Sequence, residues 1–228
     1  MGKLNILSNS DEAFHDRKEA GRLLGSSLRS LKGAQTIVLG IPRGGVVVAK
    51  EVSGLLDAPL DIVLSRKLGA PGNPELAIGA ISEAGKIFLD ESIVAHSGAD
   101  KEYIDKEAKN QLSEIKRRTE IFRKALPKIP LERKTVIIVD DGLATGATMQ
   151  ASLWAARQEK PSKLIAAVPV ASSEAIDRIA DYCDEVICLR LPKFFGAVSQ
   201  FYLKFAQTTD EEVIRVLKDE FTKRAGGV

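Results

Sequence analysis

The stretch VIIVDDGLATGATM, residues 136–149, decides the fold and directs the search for a ligand. Its first four residues are apolar, which is typical of a buried strand, and they run into the adjacent carboxylates of Asp140 and Asp141. A short run of glycine, alanine and threonine follows, and it contains no lysine or arginine. The pattern predicts a strand, then a ligand-binding loop, then a helix that begins near Ala147 or Thr148.

The chemistry of this loop points to two kinds of ligand group. Adjacent carboxylates repel each other, so they need hydroxyls, ammonium groups or a metal ion nearby to offset that repulsion. Small residues at a helix N-terminus leave backbone N–H groups free to face an anion, and Thr145 and Thr148 add hydroxyl donors. A sugar phosphate would satisfy both halves of the loop. The alternative, a tight turn with an Asp helix cap, explains only one Asp and one Gly.

Two other nucleotide-binding loops do not fit this stretch. A Walker loop requires G-x-x-x-x-G-K-[ST], and the run has no lysine. A dinucleotide fingerprint requires G-x-G-x-x-G, which is absent from the run. The missing motifs disfavour a kinase or a dehydrogenase.

Around this stretch, short apolar runs alternate with segments of helical periodicity, which predicts an α/β fold. Strands that are apolar throughout and separated by helices imply a Rossmann-like parallel sheet with helices on both faces. In such sheets ligands bind at the carboxyl ends of the strands, so the loops after Ile41, Ser65 and Val139 matter most. Predicted strands are 36–41, 60–65, 77–82, 87–90, 135–140, 164–171 and 185–190; predicted helices are 11–31, 46–56, 101–125, 147–158, 173–182 and 210–221.

The pattern of four apolar residues, two acids, small residues and T-G-x-T resembles the signature of the type I phosphoribosyltransferases. VIIVDDGLATGAT matches that signature without a gap, and the resemblance covers about residues 36–190. It implies that Asp140 and Asp141 contact the ribose hydroxyls of phosphoribosyl pyrophosphate (PRPP), directly or through Mg²⁺. It also implies that the 5-phosphate lies in a cradle of Ala144, Thr145, Gly146, Ala147 and Thr148.

The same resemblance implies functions for the loops after Ile41 and Ser65. Arg43, Gly44 and Gly45 follow the first strand. An Arg-Gly-Gly turn is more often only a turn, but the resemblance implies pyrophosphate binding there. Arg66 and Lys67 follow the second strand, where a basic pair is usually a solvated edge. Adenine and orotate phosphoribosyltransferases carry a similar pair, whose arginine can reach pyrophosphate. Residues 68–85 resemble their flexible catalytic loop, since the Gly and Pro content fits a mobile lid.

We expect one domain over residues 1–228. It would have a core at about 36–190, an N-terminal helix at 11–31, a flexible loop and helical insertion at about 66–130, and a small C-terminal hood and helix at 191–223. The hood contains an aromatic cluster that selects a nucleobase or, as we favour, forms a small core pinning the terminal helix: Phe194, Phe195, Phe201, Tyr202 and Phe205. Helix 101–125 carries arginines that could face the site, although a charged helix is mostly a solvated face: Arg117, Arg118 and Arg123.

The composition excludes several functional classes. Thirty-three basic and 31 acidic residues leave a net charge of +2, so nothing favours nucleic acid or an anionic membrane as a partner. No apolar run approaches the ~20 residues of a membrane span, and the N-terminal residues lack the apolar core of a signal peptide. We expect Cys183 and Cys188 to be reduced, on or near a strand. The sequence thus predicts a cytoplasmic protein, which we expect to be a homodimer.

The resemblance implies a Mg²⁺-dependent enzyme that moves ribose 5-phosphate from PRPP to a nitrogen acceptor, a nucleobase in our expectation, and releases pyrophosphate. In this interpretation Asp140, Asp141, Arg66 and Lys67 are the catalytic residues. The alternative is a regulator that senses PRPP without turnover. Such regulators usually carry a nucleic-acid-binding module or a basic face, and neither is evident here, so the enzyme is preferred.

Overall fold

A computed structural model describes residues 2–33 and 35–226. The strands are β1 (Lys3–Ile6), β2 (Thr36–Gly40), β3 (Leu60–Ile62), β4 (Ser65–Ala70), β5 (Asn73–Ser82), β6 (Ile87–Leu89), β7 (Thr135–Val139), β8 (Lys163–Val170) and β9 (Glu185–Arg190). The helices are α1 (Arg17–Ser27), α2 (Gly44–Leu56), α3 (Glu91–Ser97), α4 (Lys101–Ala125), α5 (Ala147–Arg157), α6 (Ser173–Ile179) and α7 (Asp210–Ala225).

The main sheet has six strands in the order β1-β9-β8-β7-β2-β3, and its pairings are parallel. The α/β fold with a covered parallel sheet is therefore confirmed. Alternate residues of β7 show why the strands of the main sheet are apolar throughout. Val136 and Ile138 pack toward α5 and α6, whereas Ile137 and Val139 pack toward α1 and α2. Each face of the strand is thus buried under its own helix layer.

Residues 66–82 form two β-strands joined by a tight turn, where the sequence analysis expected a loop over most of the segment; the mobility of this segment stays a prediction. β4 and β5 pair antiparallel, β6 joins them, and the three strands make a second sheet. The Gly and Pro residues have structural roles here. Gly72 takes a φ of +71° in the hairpin turn, and the register shifts at Gly69, where a side chain would meet Pro74 Cα at 2.9 Å. The predicted strand 60–65 accordingly ends at Ile62, and β4 begins at Ser65.

Helix α4 covers this second sheet and has the bounds that the sequence predicts. Its apolar stripe, which includes Ile104, Ile115 and Phe122, packs in one cluster with Ile78 and Ile81 of β5. Tyr103 also donates a hydrogen bond to the carbonyl of Gly69 at 3.0 Å. The insertion is therefore a β-sheet with a helix packed on it.

The N-terminal region differs most from the prediction. Helix α1 begins at Arg17 rather than near residue 11, because Asp16 caps it by accepting from the Glu19 N–H at 2.9 Å. Strand β1 pairs with β9 at the edge of the sheet and was missed. Helix α3 was missed too; it is short and is capped by Asp90. Short elements give little periodicity from which to predict them.

Helix α7 protects the opposite edge of the main sheet. Glu220 Oε1 accepts from the backbone N–H of Leu60 in β3 at 3.1 Å, and Arg224 donates to the Leu60 carbonyl. Arg224 also bonds Glu220 at 3.1 Å, which fixes the two side chains together. These contacts satisfy edge-strand groups that would otherwise be open to pairing with another chain.

A buried ion network joins α4 to both sheets. Arg123 donates to Asp61 Oδ1 at 2.6 Å and to the two carboxylate oxygens of Glu83 at 2.8 and 2.9 Å. The side chains of Asp61 and Glu83 are only 1% and 9% exposed. Burial raises the pKa of Asp61, and Arg123 opposes that rise. Arg123 is thus a structural residue, and the expectation that it faces the ligand or the solvent is wrong.

We expect Arg123→Met to lower the free energy of unfolding by about 3–5 kcal/mol, because it leaves the buried Asp61 without a cation and leaves Glu83 with only Lys128, at 3.3 Å. Urea denaturation at neutral pH measures this loss. The matched control is Lys50→Met, which breaks the exposed pair between Lys50 and Asp219 (2.9 Å) and should cost less than about 1 kcal/mol. Equal losses for the two variants would contradict the structural role of the network.

Candidate functional site

Three segments meet around one cleft of about 370 Å³. Pro42 comes from the loop after β2, Arg66 and Lys67 come from strand β4, Thr145 comes from the loop after β7, and Thr148 lies in the first turn of α5. These segments follow Ile41, Ser65 and Val139, the positions on which the sequence analysis concentrated. The structure therefore brings the predicted basic pair and the predicted phosphate cradle into one cavity.

Asp140 and Asp141 follow the last residue of β7 and precede the cradle in the chain, but they do not line this cleft. Asp140 Oδ1 accepts from the Asp141 N–H at 2.9 Å. Burial raises the pKa of Asp140 well above its ordinary value, and the charge of Asp141 raises it further. The repulsion expected from the sequence is therefore present in the fold.

Arg17 partners Asp141, and the sequence analysis missed it. Its Nε donates to Asp141 Oδ2 at 2.7 Å, in a pair whose side chains are 12% and 15% exposed. Its Nη1 donates to the carbonyl of Ala206 at 2.7 Å, and its guanidinium lies 3.9 Å from the ring centre of Phe205. Arg17 is also the first residue of α1, where a cation opposes the helix dipole. The sequence offered no signal of this pair, because the helix was expected to begin at residue 11.

Gly44 and Gly45 are required because the start of α2 lies against the two acids. A Cβ on Gly44 would lie 2.0 Å from Asp141 Oδ2, and one on Gly45 would lie 2.8 Å from Asp140 Cα. Neither glycine lines the cleft. Their close packing accounts for the Gly-Gly pair, and the predicted contact with pyrophosphate stays a prediction.

Arg43 caps α2 beside the cleft. The Pro42–Arg43 peptide bond is cis. Arg43 Nη1 lies 3.7 Å from Oδ1 of Asp210, the first residue of α7. Pro42 lines the cavity but Arg43 does not, and the predicted contact between Arg43 and pyrophosphate stays a prediction.

The loop after Asp141 has the shape of a phosphate cradle. Gly146 takes a φ of +73°, which favours glycine, and it precedes α5, which begins at Ala147 as predicted. Ala144, Thr145 and Thr148 are exposed, whereas Ala147 is buried. The threonine hydroxyls and the first N–H groups of an 11-residue helix are therefore presented at the same place.

Helix α4 contributes Arg118 to the wall of the cleft. Burial lowers the pKa of Arg118, and the nearby charge of Arg66 lowers it further. Arg118 is half-buried while its neighbour Arg117 is exposed. The expectation of a solvated face thus holds for Arg117 and is wrong for Arg118. Position 118 lies three residues after Ile115 and four before Phe122, inside the buried stripe, and this spacing was a usable signal.

The aromatic cluster does not line the cleft. Phe201 and Tyr202 are buried, and the Tyr202 ring lies 5.6 Å from that of Phe14 near the N-terminus. The Tyr202 hydroxyl donates to the backbone carbonyl of Asp141 at 2.5 Å, and burial raises its pKa above the usual range. A core forms as we favoured, but it anchors the N-terminal segment and the Asp141 loop. Phe194 is 90% exposed.

The donors present fit a Mg²⁺ ion that arrives with a phosphorylated ligand. Within residues 2–33 and 35–226, no group of three or more His, Cys, Asp or Glu side chains is placed to hold a metal. Asp140 and Asp141 supply two carboxylates, and Arg17 already engages one of them. Mg²⁺ is commonly bound by one or two carboxylates together with water and substrate phosphates. A shared site of this kind fits here.

Two further expectations concern the chain as a whole. Cys183 and Cys188 are free and buried, and burial raises the pKa of their thiols to about 11 and about 12. Their reduced state stays a prediction. In the described part of the chain, no helix has the length and apolar character needed to cross a membrane.

We expect Asp140→Asn to stabilise the ligand-free protein at neutral pH. Because its folded-state pKa is raised, Asp140 binds a proton more tightly in the folded state than in the unfolded state, and unfolding free energy falls as pH rises from about 4 through the folded-state pKa. Each unit of that rise is worth about 1.4 kcal/mol. Thermal melts in EDTA across pH 3–8 should show a gain that vanishes at the acid end. Asp177→Asn, at an exposed position of α6, is the control; a similar gain there would contradict the assignment.

Comparisons with known proteins identify the family of this chain. A family model described as a phosphoribosyl transferase domain matches residues 11–206. Two curated Mycobacterium tuberculosis proteins, from strains CDC 1551 and H37Rv, carry the provisional name of a phosphoribosyl transferase and are 46% identical over 204 residues. The match covers 90% of this chain and 46% of theirs, so the chain spans about half the length of the curated relatives it matches. The crystal structure of TT1426 from Thermus thermophilus is 44% identical, with a TM-score of 0.87 over 91% of this chain and 98% of that one. The chain belongs to the phosphoribosyl transferase family.

Proposed function

We propose that this protein transfers ribose 5-phosphate from PRPP to a nitrogen acceptor, a nucleobase or a related amine, and releases pyrophosphate with the help of Mg²⁺. One observation carries the proposal. The basic pair Arg66–Lys67 of β4 and the phosphate cradle after β7 are far apart in the chain, yet both line a single cleft, and the acid pair directly precedes the cradle. A ribose with phosphate groups at two ends matches that arrangement.

Each of these three groups of residues binds one part of this substrate. The 5-phosphate accepts hydrogen bonds from Thr145, Thr148 and the first N–H groups of α5, whose dipole favours an anion. The ribose hydroxyls donate to Asp140 and Asp141. Arg66 and Lys67 lie across the cleft and bind pyrophosphate. Arg17 fixes Asp141 from behind, so that the carboxylate is oriented before the ribose arrives.

The reaction needs no covalent nucleophile on the protein. The bond between the ribose carbon and pyrophosphate breaks, and its electron pair leaves with the pyrophosphate. The acceptor nitrogen forms the new bond with its lone pair and then loses a proton to solvent. Asp140 and Asp141 stabilise positive charge that develops on the ribose, while Arg66 and Lys67 stabilise negative charge on the leaving group. Mg²⁺, when bound, supplies further positive charge to the pyrophosphate.

We expect PRPP with Mg²⁺ to raise the melting temperature of the protein. One-site binding gives about 2.7 kcal/mol at a hundredfold excess over Kd. Thr148→Val keeps the shape of the side chain but removes an exposed hydroxyl from the cradle, so it should reduce the shift without lowering the ligand-free melting temperature. Differential scanning calorimetry measures both. No shift for the wild-type chain at saturating PRPP and Mg²⁺ would overturn the proposal.

We expect Arg66→Ala to lower the rate of pyrophosphate release by about 10²–10³, and to weaken PRPP binding much less, because charge on the leaving group grows as the bond breaks. Arg133→Ala is the matched control, since Arg133 is 91% exposed and lies outside the cleft. The acceptor for this assay comes from a screen of purines, pyrimidines and simple amines. If PRPP binds but no acceptor releases pyrophosphate, the protein is a PRPP sensor instead.

A further inference from the structure

Arg118 brings a cation from α4, in the insertion, to the wall of the cleft, which it lines with Arg66 and Thr148. It is half-buried. Among the residues that the structure describes, its guanidinium forms no hydrogen bond or salt bridge, although it carries several donors. The next arginine of the stripe, Arg123, has all of its nitrogens engaged. A buried face of α4 thus presents a guanidinium to the cleft with its donors available to a ligand.

The charges around Arg118 are mostly of its own sign. Arg66, Arg43 and Arg117 lie close enough to repel it, and Asp210 of α7 is the carboxylate that attracts it. Asp210 is poorly placed to neutralise the group, because it also lies 3.7 Å from Arg43. Its buried Oδ1 forms no hydrogen bond within the described chain. Glu114 lies 4.0 Å from Arg66 and is 58% exposed. The ligand-free cleft therefore holds an excess of positive charge.

The location of the Arg118 side chain indicates which part of the ligand it would bind. The 5-phosphate already has the threonine hydroxyls and the start of α5. Arg118 is grouped with Arg43 and Arg66, the residues assigned to pyrophosphate. A planar guanidinium can bind two phosphate oxygens at once, which suits a diphosphate. We propose that Arg118 binds the diphosphate group of the substrate, so that α4 supplies a cation to the site in addition to those of the loops. This inference rests on the proposed function.

Isothermal titration calorimetry with two ligands tests this role. At a fixed Mg²⁺ concentration, inorganic pyrophosphate probes one half of the cleft and ribose 5-phosphate probes the other. Arg118→Gln should weaken pyrophosphate binding by about tenfold or more, the usual effect of a lost charge-assisted hydrogen bond, and change ribose 5-phosphate binding by less than about twofold. Arg117→Gln is the matched control, since it removes the same charge from the adjacent, exposed position.

Stability separates a ligand-binding role from a structural one. Loss of a cation that lies among like charges relieves repulsion, so the ligand-free melting temperature of Arg118→Gln should equal or exceed that of the wild type. Arg118→Lys keeps the charge without the planar fork and should give a partial loss of pyrophosphate affinity. Since Arg118→Lys perturbs the fold least, it decides the question if Arg118→Gln does not fold.

The outcomes separate this inference from the proposed function. If the wild type binds PRPP and pyrophosphate but Arg118→Gln loses no more affinity than Arg117→Gln, the role of Arg118 is overturned and the function stands. Equal losses for pyrophosphate and ribose 5-phosphate would also overturn it, since Arg118 would then act as a general positive charge. If the wild type binds neither PRPP nor pyrophosphate, the proposed function fails as well.

Discussion

The paired carboxylates of Asp140 and Asp141 are the constraint on which the rest of the site depends. They follow a strand in the middle of the sheet, where burial makes a charged pair unfavourable. The fold compensates with a cation from α1, since Arg17 meets Asp141 at 2.7 Å. It also brings the start of α2 so close that only glycine fits at positions 44 and 45. Arg17 also donates to the carbonyl of Ala206, so residues near both ends of the family-matched region, 11–206, lie close to Asp141.

In the insertion, the charges that the fold holds in place are positive rather than negative. One stripe of α4 carries two arginines with different roles. Arg123 neutralises buried carboxylates and holds the helix to both sheets, which fixes the place of Arg118 five residues earlier. The rigidity of the first contact therefore orients the second. A mobile lid could not hold a guanidinium at a fixed position in the cleft before the ligand arrives, whereas a helix packed on a sheet can.

Sequence reasoning succeeded where the signal is local and failed where it depends on contacts distant in the chain. The strand, acid pair and helix start of residues 136–149 form one continuous pattern, and α4 is long enough to show its period and its Asp100 cap. The partner of Asp141 lies 124 residues away, and no local pattern reveals it. For residues 68–85 the secondary structure was hard to predict for a different reason, because glycine and proline occur in tight turns and bulges as well as in loops.

The ligand-free site is consequently unbalanced in two directions. On one side, acids crowd the end of β7 and are only partly offset by Arg17; on the other, Arg43, Arg66 and Arg118 are only partly offset by Asp210 and Glu114. The two excesses do not cancel, because the positions of both sets are fixed by packed elements. A ligand with hydroxyl donors at its centre and anionic groups at its ends relieves both at once. Selectivity for such a ligand then follows from this charge pattern, since a plain sugar or a plain phosphate would relieve only one of the two.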